Sequence, residues 1–231
     1  MKPITTAAIL IPDTTAFNLS AQLKLAYPDL TITSQKWTIT HSLFRPASSP
    51  PSQPSSGSLQ ILQFSGHAKQ TFLRTTTAVL DQDKTAVVTI QTDPGEADFR
   101  RLLRDKFGPL WQHVRGAEMR VTGTEVEIGM FRVIVADVSR ERGVAGSGVE
   151  SRGVMLSISL LGEDAGERTA DEQVECRELI EDFCNNLGLS TEIDKVWGDR
   201  GTWKEEVHFF SSFLRQQLPS SAGGRPRGGE Q

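Results

Sequence analysis

Between Pro109 and Val138 the chain reads PLWQHVRGAEMRVTGTEVEIGMFRVIVADV, and apolar and polar side chains take turns through most of it. Met119 and Val121 alternate with Glu118 and Arg120. Beyond Gly123, Val126 and Ile128 continue the apolar side against Glu125 and Glu127. After Gly129 and Met130 the alternation resumes with Phe131, Val133 and Val135. A period of two built from β-branched and aromatic residues predicts half-buried antiparallel strands. Glycines at 123 and 129 suit a bulge or a tight turn. The pattern predicts a β-meander at the centre of the chain.

The flanking sequence extends this reading. A short strand over Thr6–Ile11 ends at Pro12. Asp13, Thr14 and Thr15 offer N-cap oxygens for a helix to Ala26 with Phe17, Leu19, Leu23 and Ala26 on its apolar face. Strands are predicted at Thr31–Phe44, Leu59–Phe64, Thr71–Leu80, Thr85–Gln91 and Arg152–Leu161, with residues 81–84 as a hairpin connection. Asp93-Pro94-Gly95-Glu96 reads as a helix start whose face runs through Phe99, Leu102, Leu103, Leu110 and Trp111, broken or kinked at Gly108-Pro109. Thr169 and Glu172 form a capping-box pattern before a helix with Cys176, Leu179, Ile180, Phe183, Cys184 and Leu187 on one side, stopped by Gly188. A last helix starts at Thr202, with Glu205 three residues on. The resulting class is α+β, a mostly antiparallel, β-barrel-like sheet of about eight strands with three to four flanking helices, because closure protects sheet edges. One domain is expected over residues 1–217. The Pro/Ser-rich stretch 45–57 and the segment 139–151 are expected as disordered insertions, and 218–231 as a disordered tail.

Composition narrows the function classes. Of the 231 residues 37% are hydrophobic, ample for a core, and the net charge is −4, which disfavours nucleic acid as the main partner. Residues 1–90 carry 7 basic and 4 acidic side chains, so the acidic excess lies in the C-terminal part. Cys176 and Cys184, eight positions apart on one helix, stand about 12 Å apart along its axis, beyond disulfide reach. Reduced core cysteines, with no apolar run long enough for a signal peptide or a membrane span, point to a soluble intracellular protein.

Signals for chemistry are few. His41, His67, His113 and His208 lie on separate elements without a nucleophile motif beside them, which fits structural roles. Gly143, Gly146 and Gly148 lack the Lys-Ser/Thr that a phosphate loop needs, so they read as a linker. No Cys/His spacing suits zinc. Glu125 and Glu127 are the sharpest candidate pair. Two carboxylates at i and i+2 leave one face of a strand together and could hold a divalent cation inside a barrel, as in tunnel-type triphosphatases. The plainer reading has Val126 and Ile128 in the core and both glutamates in water. The acidic side of the Thr169 helix reads as a solvated face or a dock for a basic partner. Trp203, Val207, Phe209, Phe210 and Phe213 make the last helix apolar over more than one narrow stripe. They are therefore the candidate partner-binding residues.

Ordered short strings then carry a family resemblance. They are Tyr27-Pro28-Asp29, Trp37-x-x-x-His41-x-Leu43-Phe44-Arg45, Leu59-x-x-Leu62, Ser65-x-His67 and Phe72, followed by Pro109-Leu110-Trp111-x-His113 and Val121-x-Gly123. Glu127-x-Gly129-x-Phe131-Arg132-Val133, Ala136-Asp137-Val138, Arg152-Gly153 and Asn186-Leu187-Gly188 complete the order. The chain resembles subunit 20 of the Mediator complex over most of residues 5–217. It departs from that pattern at Met130, where an acidic residue is expected, and at Ser157 and Ser159. The resemblance implies an eight-stranded antiparallel barrel-like fold. It also implies a heterodimer with Mediator subunit 18 in the movable part of the head module, near subunit 8. The implied role is non-enzymatic and nuclear, relaying regulation to RNA polymerase II, with no catalytic residue, metal or cofactor to carry over.

Overall fold

The computed structural model describes residues 2–47, 57–67, 70–79, 82–91, 101, 105–106, 108–114, 116–141, 148–162, 169–189, 195–198 and 202–218. Strands β1 (Lys2–Ile11), β2 (Thr31–Pro46), β3 (Gly57–Phe64), β4 (Gln70–Val79) and β5 (Gln82–Gln91) make up the first half, with helix α1 (Ala16–Ala26) after β1. Then come β6 (Trp111–His113), β7 (Met119–Ile128), β8 (Phe131–Glu141), β9 (Val149–Gly162), helix α2 (Ala170–Asn186), β10 (Lys195–Gly198) and helix α3 (Trp203–Gln216). All pairings are antiparallel, in the order β10-β1-β9-β8-β7-β2-β3-β4-β5, and β6 pairs with the end of β2.

The meander of β7, β8 and β9 is the middle of this path; β7 and β8 pair without slip from Met119↔Arg140 to Ile128↔Phe131, and β8 and β9 shift register between Val138 and Ser139. The predicted run before Gly129 is one strand, β7. Gly129 makes the turn with φ +57°. Gly123 makes no turn, and β2 shifts register opposite it, between Ser34 and Trp37. The glycine lies inside β7, where a Cβ would overlap the Val135 carbonyl oxygen and Ala136 of β8.

The expected antiparallel sheet with flanking helices is present, and among the described residues it is not closed. β10 pairs with β1 and β5 with β4, and these two end strands do not join. Helix α3 nevertheless packs against both β10 and β5. Nine strands laid flat would put those ends roughly 38 Å apart, and a helix is about 10 Å wide, so the sheet must curl around α3. Val207, Phe209, Phe210, Phe213 and Leu214 of α3 fill the concave side with Ala8, Trp37, Ile39, Leu62, Phe64, Phe72, Met119, Val121, Ile134, Ala136 and Met155. An interior occupied by a whole helix needs more circumference than one occupied by side chains, which accounts for ten strands and an open seam among the described residues.

The convex side carries α1 and α2. Leu19 and Leu23 of α1, and Cys176, Ile180, Phe183 and Cys184 of α2, pack on Ala7, Ile9, Val126, Ile128, Val133, Val135 and alternate residues of β9. β1, β8 and β9 are thus buried on both faces along much of their length. Thr15 is the N-cap of α1, accepting from the Asn18 amide, and both α2 and α3 begin with a complete capping box, from Thr169 with Glu172 and Thr202 with Glu205. Three residues expected on the apolar faces of α1 and α2 lie outside: Phe17 and Ala26 of α1 and Leu179 of α2 are exposed. Residues 45–46, 57, 139–141 and 149–151 of the expected insertions are strand; 48–56 and 142–147 lie outside the described residues. So do 92–100, where the Asp93 helix was predicted, and the tail 219–231. Trp111, expected on that helix's face, pairs with Pro46 in β6.

Candidate functional site

The last helix shows where its five singled-out residues go. Val207, Phe209, Phe210 and Phe213 are buried within this chain, Phe210 lying 5.4 Å from the Trp37 ring and 5.8 Å from Phe64. Trp203, at the start of α3, is 37% exposed and rests on Phe72 with ring centroids 5.7 Å apart. The broad apolar side of α3 is what a helix wrapped by a sheet requires, since it is covered over more than one stripe.

Glu125 and Glu127 leave β7 on the α3 side, while Val126 and Ile128 point to the convex core. Met119 and Val121 do not share a side with Val126 and Ile128, because an interval of five residues reverses the face of a strand. Both carboxylates meet one cation. Arg132 Nη2 donates to Glu127 Oε1 at 3.0 Å, and its Nε lies 3.9 Å from Glu125 Oε1. Glu125 also accepts from Thr33 Oγ1 at 2.9 Å. The pair is therefore compensated by a guanidinium, and the space a tunnel substrate would need is filled by α3. This rim opens into a groove of about 340 Å³ lined by Lys36, Trp37, Phe64, Ser65, His67, Arg132 and Glu206 among others.

The histidines stay apart. His41 is fully buried, with Nε2 3.0 Å from Gln60 Oε1, and burial pushes its pKa down to about 4, opposed by that hydrogen bond and reinforced by Arg74. His67 and His113 lie edge-on to Phe72 and Phe44. His208 is exposed on α3, its pKa lowered by partial burial and by Arg74. Cys176 and Cys184 are both free and buried, and burial raises the Cys184 thiol to about 11, far from a reactive thiolate. No group of three or more His, Cys, Asp or Glu able to hold a metal occurs among the described residues.

A larger groove, about 820 Å³, lies on the convex side between the α1–β2 turn, the β7–β8 turn and α2. Tyr27, Pro28, Met130, Phe131, Leu179 and Phe183 line it, with Asp29 and Asp182 among its charged residues. Phe183 stacks on Tyr27 at 5.3 Å and packs on Phe131 at 4.7 Å, so three elements meet at its floor. Nothing in the sequence periodicity announced this groove; its residues come from three separate elements.

The geometry offers surfaces and no assembled catalytic constellation among the described residues. Comparison with known proteins agrees. A family model described as the TATA-binding related factor (TRF) of subunit 20 of Mediator complex matches residues 14–214. The chain belongs to the Mediator subunit 20 family. It is a Mediator subunit and not an enzyme, as the sequence strings implied. A solved structure of PH1819 protein from Pyrococcus horikoshii OT3 is similar at 14% identity, covering 88% of this chain and 97% of that one, with a TM-score of 0.45. The Schizosaccharomyces pombe Mediator head module contains a chain similar at 10% identity, covering 84% of this chain and 98% of that one, with a TM-score of 0.41. The comparison with curated proteins finds no match. No helix among the described residues is long and apolar enough to cross a membrane.

Proposed function

We propose that this chain acts in the nucleus as the partner of Mediator subunit 18 in the head module, near subunit 8, and helps relay regulatory signals to RNA polymerase II. Family membership over residues 14–214 carries the reading. The absence of an assembled catalytic site among the described residues is in keeping with it, and so are the two unjoined sheet ends at β10 and β5. Exposed strand edges and apolar side chains such as Trp203 are surfaces that a subunit of a large assembly covers. Of the five last-helix residues, Trp203 has the surface to meet a partner, and the other four support it from within the core.

The test is a tagged chain expressed at its natural level and captured from nuclear extract. Recovery of head-module subunits, with subunits 18 and 8 among them, is the expected result. A folded bait that brings down no Mediator subunit contradicts the proposal. Trp203→Ala is expected to weaken recovery of subunit 18 without lowering bait solubility; unchanged recovery moves the contact elsewhere.

A further inference from the structure

Toward the C-terminal end of α3 the concave side of the sheet changes character. Along β2, β3 and β4 the apolar series Ile39, Leu62, Phe64 and Phe72 gives way to His41, Gln60, Ser58, Arg74 and Thr76. Gln60 and Arg74 are direct register partners, so their side chains stand side by side facing α3. Arg74 is 7% exposed, and its Nη1 donates to Ser211 Oγ at 2.6 Å and Ser212 Oγ at 3.1 Å. Its Nε is buried without a partner, as are Gln60 Nε2, His41 Nδ1, Thr76 Oγ1 and, one strand further, Thr89 Oγ1.

The charges here are of one sign. Arg215 reaches Ser58 Oγ at 3.4 Å from the last turn of α3, and His208 lies one turn from Ser211 and Ser212 on the exposed side. Among the described residues no carboxylate pairs with Arg74 or Arg215. Burial and Arg215 lower the pKa of Arg74, and Arg74 in turn lowers those of His208 and His41. A guanidinium taken out of water with only hydroxyl partners is costly, and the unpartnered Nε2 donor of Gln60 beside it is costly too. An arriving oxyanion relieves both.

We infer that Arg74, Gln60, Ser212 and Arg215 form an oxyanion-binding niche that receives the carboxylate of an acidic side chain from a partner protein segment, with Ser211, whose hydroxyl donates to the His208 carbonyl, holding Arg74 in place. A carboxylate suits the niche better than a phosphate group. It is planar, matches the guanidinium edge, and brings one charge rather than nearly two into a site that is mostly buried. Arg215 and His208 are exposed, and Arg74 is buried. The inference does not depend on which assembly the chain joins.

The test uses the purified chain with two probes, a fluorescein-labelled hexaglutamate peptide and inorganic phosphate, each against sodium chloride at matched ionic strength. The wild type is expected to bind the peptide and to melt at a higher temperature in its presence. Arg215→Ala, at an exposed position, is expected to weaken binding by about tenfold through loss of one charge-assisted hydrogen bond. Arg74→Met is expected to abolish binding while melting no lower than wild type without peptide, since it removes an uncompensated buried charge. Arg132→Ala, in the separate rim groove, leaves peptide affinity unchanged. The niche is refuted by equal peptide affinity in wild type and Arg215→Ala, by no response to either probe, or by Arg74→Met melting well below wild type. A response to phosphate without peptide binding overturns the assignment to a protein carboxylate.

Discussion

Phe183 joins three elements: it lies on α2, stacks on Tyr27 after α1 and packs on Phe131 of β8. Phe183→Ala should cost about 3–5 kcal/mol in urea unfolding, the range for emptying a buried aromatic site. His41 makes a second prediction at this scale. Its pKa is depressed to about 4 in the folded chain, so the unfolded chain binds the proton more tightly. The contribution is whole above the unfolded value of 6.5 and is lost as pH falls from there through 4. Stability should drop by about 2 kcal/mol between pH 7 and pH 5 from this group, and His41→Gln should flatten that slope. An equal slope in the variant would assign the acid sensitivity to other groups. Some residues were legible in the sequence and some were not. Phe183 and Ile180 fell on the buried face by helical spacing alone. Leu179, one step from Ile180, points into the convex-side groove, because a helix on a sheet buries a narrower arc than its apolar residues span.

Among the elements, the capping boxes of α2 and α3 and the strands of the meander were readable because each depends on neighbours in sequence. Thr202→Ala should cost about 1 kcal/mol by releasing the Glu205 amide, measurable as a lower urea midpoint with unchanged slope. The location of α3 was not readable. Its apolar breadth fitted a core helix as well as a partner-binding one, and the chain's own sheet covers Val207, Phe209, Phe210 and Phe213. Periodicity reports how much of a helix is apolar and is silent on what covers it. It follows that ending the chain before Thr202 should leave a concave core without its filling, giving a species with weak near-ultraviolet dichroism and strong dye binding. A native-like spectrum from the truncated chain would show that the sheet holds its curl without α3.

For the whole molecule, the antiparallel α+β class was legible, while closure was not. Pairing between β1 and β10 joins residues such as Ala7 and Trp197, and no local pattern encodes a contact at that separation. We propose that residues 1–217 act as one domain, since a single sheet runs from β10 to β5 and both helical layers pack on it. Tryptophan fluorescence and far-ultraviolet dichroism should then report the same urea midpoint; separate midpoints would divide the chain. The family's own order of strings was the strongest functional signal, because the residues that make an adaptor look like those of any folded core. The most direct test of the central claim is co-expression of this chain with Mediator subunit 18 from the same organism, followed by size-exclusion chromatography with light scattering. The account predicts one peak with the mass of a one-to-one complex. Two folded proteins that elute separately at micromolar concentration would contradict it.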